Sequence, residues 1–215
     1  MNRPVRQSWI PWLRDREQDS LATAAVEGGF ADGPKTAANL LLLDEHLIDP
    51  ELVVDLANDA LTTADPDLAL NNLERLFWNV PVEILKELLV DELARRRLLT
   101  ILGASPFLTS LLCRRAEQLG ELFGPSGIAT AKNEAVMLVE LRERIPAGSS
   151  FELLQRQLRL FKAREVLRIG GRDLCGLASL EEVTAELSAL AAATLQRGCE
   201  IIDALLRAEH GPPLL

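Results

Sequence analysis

Wherever apolar positions in this chain fall into a period, they sit three or four residues apart, the spacing that lines one side of a helix. Leu68, Leu73, Leu76 and Phe77 form one such stripe, and Val183, Leu187, Leu190, Thr194 and Leu195 form another. Start signals recur at Gly33-Pro34, Asp49-Pro50-Glu51, Asp65-Pro66-Asp67 and Ser105-Pro106. In the last three, Asp or Ser can accept from free N–H groups while proline takes the first helical position, where its missing donor costs nothing. The two Asp-Pro units lie 16 residues apart, as short helices stacked side by side would have them. Further helices are predicted over Val82 to Leu102, with a possible bend, Pro106 to Phe123 and Thr130 to Ile145. The breakers Gly103, Gly124-Pro125-Ser126-Gly127 and Pro146-Ala147-Gly148 separate them. A long segment from Ser150 to Leu177 is interrupted only by Gly170-Gly171, and a capping box, Ser179 with Glu182, opens a final helix to about Glu209.

Residues 1–33 hold Pro4, Pro11, Gly28, Gly29 and Gly33 without a sustained period, and read as an N-terminal arm with one helical turn over Trp9 to Leu13. The expected architecture is all-α: an array of stacked antiparallel helices with long C-terminal helices. Residues 34–148 form the short-helix region, and residues 149–215 the long-helix region, packed with it as one domain. Composition agrees, with 43 Leu and 26 Ala against 11 Val, 9 Ile and no Tyr in 215 residues.

A net charge of −9 argues against a nucleic-acid partner, because neutralising phosphates takes a surplus of Lys and Arg on some face. Cys113, Cys175 and Cys199 are odd in number and widely spaced, matching neither a disulfide framework nor a metal knuckle. They read as reduced, mostly buried thiols of a cytoplasmic protein. The longest purely apolar run, Leu40 to Leu43, is far too short to span a membrane.

Little of the usual catalytic material is present. His46 and His210 stand apart and read as exposed. Asp44-Glu45, Asp91-Glu92 and Glu181-Glu182 are consecutive on helices, so neighbouring side chains diverge by about 100° and cannot chelate together. Asp65-Pro66-Asp67 has the D-x-D pattern of two-metal phosphoryl transfer, yet a proline at a helix start is the wrong setting and capping explains it better. No G-x-x-x-x-G-K-[ST] or G-x-G-x-x-G occurs, and Gly170-Gly171 suits a kink or a close backbone approach. Arg95-Arg96-Arg97 reads as a solvent-facing cluster. Arg164, Arg168 and Arg172 line one helical face beside Lys162 and are the candidate contact for an anion or an acidic partner, unless Glu165, Asp173 and the acids of the last helix neutralise them.

Three stretches taken in order carry a family likeness: Ala69 to Leu76 (ALNNLERL), Gly103 to Leu108 (GASPFL), and Arg164 to Leu174 (REVLRIGGRDL) running into Leu177 to Ser188 (LASLEEVTAELS). Together they resemble the amino-terminal region of bacterial glutamine synthetase adenylyltransferase, over roughly residues 50 to 210. The resemblance implies a helical array ahead of a nucleotidyltransferase fold that uses ATP and magnesium, with a glycine-serine turn followed by an acidic D-x-D strand. Here Gly148-Ser149 is not followed by alternating acids. The expectation is therefore a non-catalytic helical segment or short homologue, inactive alone and without a cofactor or metal of its own. Its expected partners are glutamine synthetase or the remaining nucleotidyltransferase domain, with a PII-type signalling protein as a further candidate. The alternative is a helical adaptor that binds a partner through Leu-rich grooves, with no nucleotidyltransferase link.

Overall fold

The computed structural model describes residues 9–124 and 127–212, and every regular element among them is helical. Pro4, Pro125 and Ser126 lie outside the described residues. The chain divides into two compact units, residues 1–126 and 127–215.

Unit 1 contains α1 (Trp9–Arg14), α2 (Gln18–Gly28), α3 (Gly33–Leu47), α4 (Pro50–Ala60), α5 (Pro66–Phe77), α6 (Val82–Val90), α7 (Glu92–Ala104), α8 (Pro106–Cys113) and α9 (Leu119–Phe123). A single 3₁₀ turn at Ala116–Gln118 precedes α9. The start signals act as the side-chain chemistry requires. Asp49 accepts from the N–H groups of Glu51 and Leu52 at 3.2 and 3.1 Å, Asp65 from Leu68 at 2.9 Å and Ser105 from Leu108 at 3.2 Å. At Gly33-Pro34 the cap is the preceding Asp32, which accepts from Lys35 N–H at 3.0 Å. Between them the helices bury a leucine-rich interior that includes Leu40, Leu43, Leu56, Leu70, Leu73, Leu76, Leu98 and Leu102.

Three sequence expectations change here. The 1–33 arm contains a second, 11-residue helix, α2, which packs along α3 and buries Leu21, Ala24 and Ala25. Its apolar face is built from alanines, too small to stand out as a period. Val82 to Leu102 is two helices rather than one bent one. Asp91 adopts an extended backbone and caps α7 by accepting from Ala94 N–H at 2.8 Å. Pro106 to Phe123 is likewise split, since Arg114 and Arg115 turn the chain after Cys113 into the 3₁₀ turn. Of the two arm tryptophans, Trp9 is buried against α2, where it meets Gly28, and Trp12 is half-buried.

Unit 2 contains α10 (Glu134–Arg144), α11 (Phe151–Leu174) and α12 (Leu180–His210). Their apolar core runs from Met137, Leu141 and Ile145 through Leu154, Phe161 and Ile169 to Val183, Leu190, Ala193 and Ile201. α11 passes through Gly170-Gly171 unbroken, with Gly171 buried. The capping box forms in full: Ser179 Oγ accepts from Glu182 N–H at 3.2 Å, and the Glu182 carboxylate accepts from Ser179 N–H at 2.7 Å. The inward face of α12 is Val183, Glu186, Leu190, Ala193, Arg197 and Ile201. Of the five apolar positions expected on one side, only Val183 and Leu190 are buried; Leu187 and Leu195 face solvent.

The cysteines also differ from expectation: none is in a disulfide, but Cys113 and Cys175 are half-buried and Cys199 is exposed.

At Gly33 α2 and α3 approach closely: a Cβ there would run into the Ala22 carbonyl oxygen and sit 2.8 Å from Val26 Cγ2. Gly33→Ala should therefore destabilise unit 1 by about 1–3 kcal/mol. Gly120→Ala in α9, where a Cβ meets nothing within 4 Å, should be neutral or stabilising by about 0.5–1 kcal/mol. Urea unfolding followed by tryptophan fluorescence separates the two, because Trp9, Trp12 and Trp78 all lie in unit 1.

Candidate functional site

Arg164, Arg168 and Arg172 follow one another at single-turn intervals on α11, as their spacing requires, but the face they share points into unit 2. Arg168 and Arg172 are each 3% exposed, and Glu165 beside them is fully buried. Most of the ladder is thus part of the interior. Buried ions of this kind are tolerated only when paired and hydrogen-bonded, and each partner can be named.

The Glu165 carboxylate accepts from Arg168 Nε at 2.6 Å, from Lys132 Nζ at 2.9 Å and from Arg164 Nε at 3.3 Å. Glu186, on the inward face of α12, accepts from Arg168 Nη1 at 2.6 Å, from Arg172 Nε at 2.9 Å and from the Lys132 backbone N–H at 2.8 Å. Glu140 on α10 pairs with Arg164 Nη2 at 2.6 Å and with Lys132 Nζ at 2.8 Å. Arg164 also lies 5.8 Å from the centre of the Phe161 ring. Lys162 and Asp173, named with the ladder in the sequence, are exposed.

The guanidinium groups also serve the backbone. Residues 128–132 enter unit 2 without helical hydrogen bonds, so their carbonyls need other donors. Arg168 Nη1 donates to Thr130 O at 2.7 Å, and Arg172 Nη1 donates to Ala129 O at 2.9 Å and Ile128 O at 3.3 Å. Four cations (Lys132, Arg164, Arg168, Arg172) thus meet three carboxylates (Glu140, Glu165, Glu186). Arg168 Nη2 is a buried donor with no partner among the described residues.

Burial pushes the Glu165 carboxyl up, but the charges of Arg168 and Lys132, with their hydrogen bonds, outweigh it and hold its pKa below the usual carboxylate value. At the α10 and α12 surfaces, hydrogen bonds from Arg142 and Arg197 bring Glu200 down to about 2. Arg197 is itself buried and donates to the Ile145 carbonyl that ends α10.

Beside the cluster, an open concavity of ≈ 350 Å³ is lined by Ala131, Lys132, Asn133, Glu182, Ala185, Glu186 and Ala189. Lys132 and Glu140 carry no local sign of being partners. Glu186 carried one: it is an acid at helical register with Val183, Leu190 and Ala193.

The other sequence candidates resolve individually. Arg95 is buried, not solvent-facing: it pairs with Asp59 at 2.7 Å and donates to Leu89 O at 3.1 Å, while Arg96 pairs with Asp59 at 3.0 Å from a half-open position. In Asp65-Pro66-Asp67 the first carboxylate caps α5, and the second accepts from Ala31 and Asp32 N–H at 2.8 and 2.9 Å. His46 is half-buried and stacks on Phe77 with ring centres 5.3 Å apart, whereas His210 is exposed beside Glu209. Ser149 of the Gly148-Ser149 pair turns its hydroxyl onto Pro146 O at 2.7 Å.

The family model for glutamate-ammonia ligase adenylyltransferase matches residues 95–214, more than half the chain and all seven members of the charge cluster. The chain belongs to the glutamate-ammonia ligase adenylyltransferase family. Its curated relatives carry the name bifunctional glutamine synthetase adenylyltransferase/adenylyl-removing enzyme. The protein from Streptomyces coelicolor is 34% identical over 87% of this chain and 18% of its own length. That from Thioalkalivibrio sulfidiphilus is 26% identical over 94% of this chain and 22% of its own length, and that from Pseudomonas aeruginosa 28% over 98% and 23%. This adenylyltransferase-family chain therefore spans about a fifth of the length of the relatives it matches. No solved structure matches it. No helix among the described residues is long and apolar enough to cross a membrane.

Glu165→Gln removes a buried charge from between Lys132 and Arg168 and should destabilise unit 2 by about 3–5 kcal/mol. The readout is hydrogen exchange in α11 and α12 peptides, which should lose protection while α3–α5 peptides keep theirs. Because the folded-state pKa values of Glu165 and Glu200 lie below the ordinary 4.5, their stabilisation is complete above that pH and is lost as pH falls, for Glu200 through about 2. An acid titration followed by far-UV circular dichroism should show helix loss beginning below about pH 4.5 and none between pH 5 and 7.

Proposed function

We propose that this chain is a non-catalytic helical segment, or short homologue, of a glutamine synthetase adenylyltransferase, and that it supports AMP transfer carried out by other polypeptide. The observation that carries this reading is how the chain's own acids are used. Adenylyl transfer on two metals needs a pair of free carboxylates aimed at one point, with the ions about 3.5–4 Å apart. Asp65 and Asp67, the one D-x-D pair, instead spend their oxygens on backbone N–H groups of residues 68, 31 and 32. Glu140, Glu165 and Glu186 are held by Lys132 and the arginines, and among the described residues no three Asp, Glu, His or Cys side chains converge as metal ligands would.

The family membership and the names of the relatives supply the partner side of the proposal. Glutamine synthetase, or the remaining nucleotidyltransferase polypeptide, is the surface this chain would meet, and a PII-type signalling protein is a further candidate. ATP and magnesium would be bound by that other polypeptide. With Arg164, Arg168 and Arg172 inside unit 2, contact would be made by residues outside the ladder.

Two measurements test this. The purified chain, given radiolabelled ATP, magnesium and glutamine synthetase, should transfer no label. Titrated by calorimetry, it should bind either glutamine synthetase or a Streptomyces coelicolor adenylyltransferase from which the matching segment has been removed. Label transfer by the chain alone, or binding to neither protein, would overturn the proposal.

A further inference from the structure

α11 carries cations on two sides. Those of the inner side are matched by Glu140, Glu165 and Glu186; those of the outer side are not. Arg156, Arg159 and Lys162 follow one another at three-residue steps, fall within about a third of the helix circumference and are all exposed. They lie opposite the side that buries Phe161, Glu165 and Arg168. Because ion pairs pin that inner side, the outer strip, about 9 Å long, faces solvent in a fixed direction.

The chain has 32 acids against 23 Lys and Arg, and its exposed cations find acids close by: Arg96 takes Glu92, Arg142 takes Glu200 and Arg207 takes Asp203. Arg75 and Arg144 form no ion pair among the described residues, but each adjoins an acid in sequence, Glu74 and Glu143. Arg156, Arg159 and Lys162 have no ion pair among the described residues either, and from Leu153 to Arg164 the sequence contains no acid. Glu165, three residues after Lys162, is turned inward and taken by Lys132, Arg164 and Arg168. Two exposed acids bound the strip. Glu152 stands one turn before Arg156 without pairing to it, and Asp173 is eleven residues past Lys162, about 16 Å along the axis and beyond the screening length at physiological salt. Like charges at three-residue spacing on a helix repel one another, and a surface bearing carboxylates would relieve that repulsion. A nucleic acid fits less well, since its phosphates would meet three cations on a chain of net charge −9.

We propose that Arg156, Arg159 and Lys162 are the docking strip for an acidic surface of the protein that this chain supports. The inference rests on the adenylyltransferase reading and adds to it the place and chemistry of contact. The test uses whichever of glutamine synthetase and the segment-deleted Streptomyces coelicolor adenylyltransferase binds the chain. By calorimetry, the triple variant Arg156→Glu, Arg159→Glu, Lys162→Glu should bind it about ten-fold or more weakly. The milder pair Arg159→Gln, Lys162→Gln should fall between, and Arg144→Glu should bind as the unaltered chain does. All three should keep their circular dichroism spectrum and Tm, because none of these side chains is buried. Raising salt from about 50 to about 300 mM should weaken binding by the unaltered chain and change that of the triple variant little. Full-strength binding by the triple variant, an equal loss from Arg144→Glu, or binding of duplex DNA that the triple variant loses would each overturn the strip as a site for an acidic protein. Binding of the unaltered chain to neither protein overturns the adenylyltransferase reading itself, and the strip with it.

Discussion

Glu165 has no exposure to solvent and is surrounded by Lys132, Arg164 and Arg168, and unit 2 depends on the charge it carries. An ionised carboxylate moved out of water loses several kcal/mol of solvation, which only close cations and hydrogen bonds can offset. Those cations are themselves buried, so each group needs the others. The cluster joins α10 through Glu140, α11 through its arginines, α12 through Glu186 and the 128–132 segment through Lys132 and three carbonyls. An all-leucine interface could fill the same volume, but it could not supply donors to the carbonyls of Ile128, Ala129 and Thr130.

Unit 1 meets the same requirement mostly with helix ends. Its short helices leave many unpaired N–H groups for their length, and Asp32, Asp49, Asp65, Asp91 and Ser105 each close a start. Asp67 goes further, reaching from the first turn of α5 to two N–H groups of the link between α2 and α3. Its few interior polar groups are met by near neighbours: Asn72 donates to Leu102 O at 2.8 Å, and Asp59 accepts from Arg95 and Arg96. Unit 1 therefore rests on leucine packing and capping, and unit 2 on a smaller apolar core with an ionic interior.

That contrast explains what could be read from the sequence. Capping is local, so Asp49, Asp65, Ser105, Ser179 and Glu182 announced their helices correctly from three or four residues of context. Family likeness was also legible, because the stretch from Arg164 to Ser188 holds residues fixed by each other in the fold. What depended on distant partners was not legible. The 3/4 spacing of Arg164, Arg168 and Arg172 gives a common face but not its direction, and Lys132 and Glu186, which turn it inward, lie 32 residues before and 14 after its ends. Arg95 was misread for the same reason, since its partner Asp59 is 36 residues away. α2 was missed because alanines bury well without marking a stripe.

The ionic interior also has a consequence for the outer surface of α12. A helix packed only through leucines can turn by a fraction of a residue at little cost, since one apolar side chain replaces another. α12 cannot, because Glu186 must face Arg168 and Arg172 while Arg197, three turns on, must face the end of α10 at Ile145. Two polar contacts eleven residues apart on one face fix the rotation of the whole helix. The exposed apolar side chains between Leu180 and Leu206 are thereby held at fixed angles around the helix. Apolar side chains held at fixed angles give a surface with a defined shape, whereas the same residues on a freely rotating helix would give only stickiness. The buried charges of unit 2 thus do two things at once: they satisfy a segment with no helical bonds of its own, and they set which side of its longest helix other polypeptide can meet.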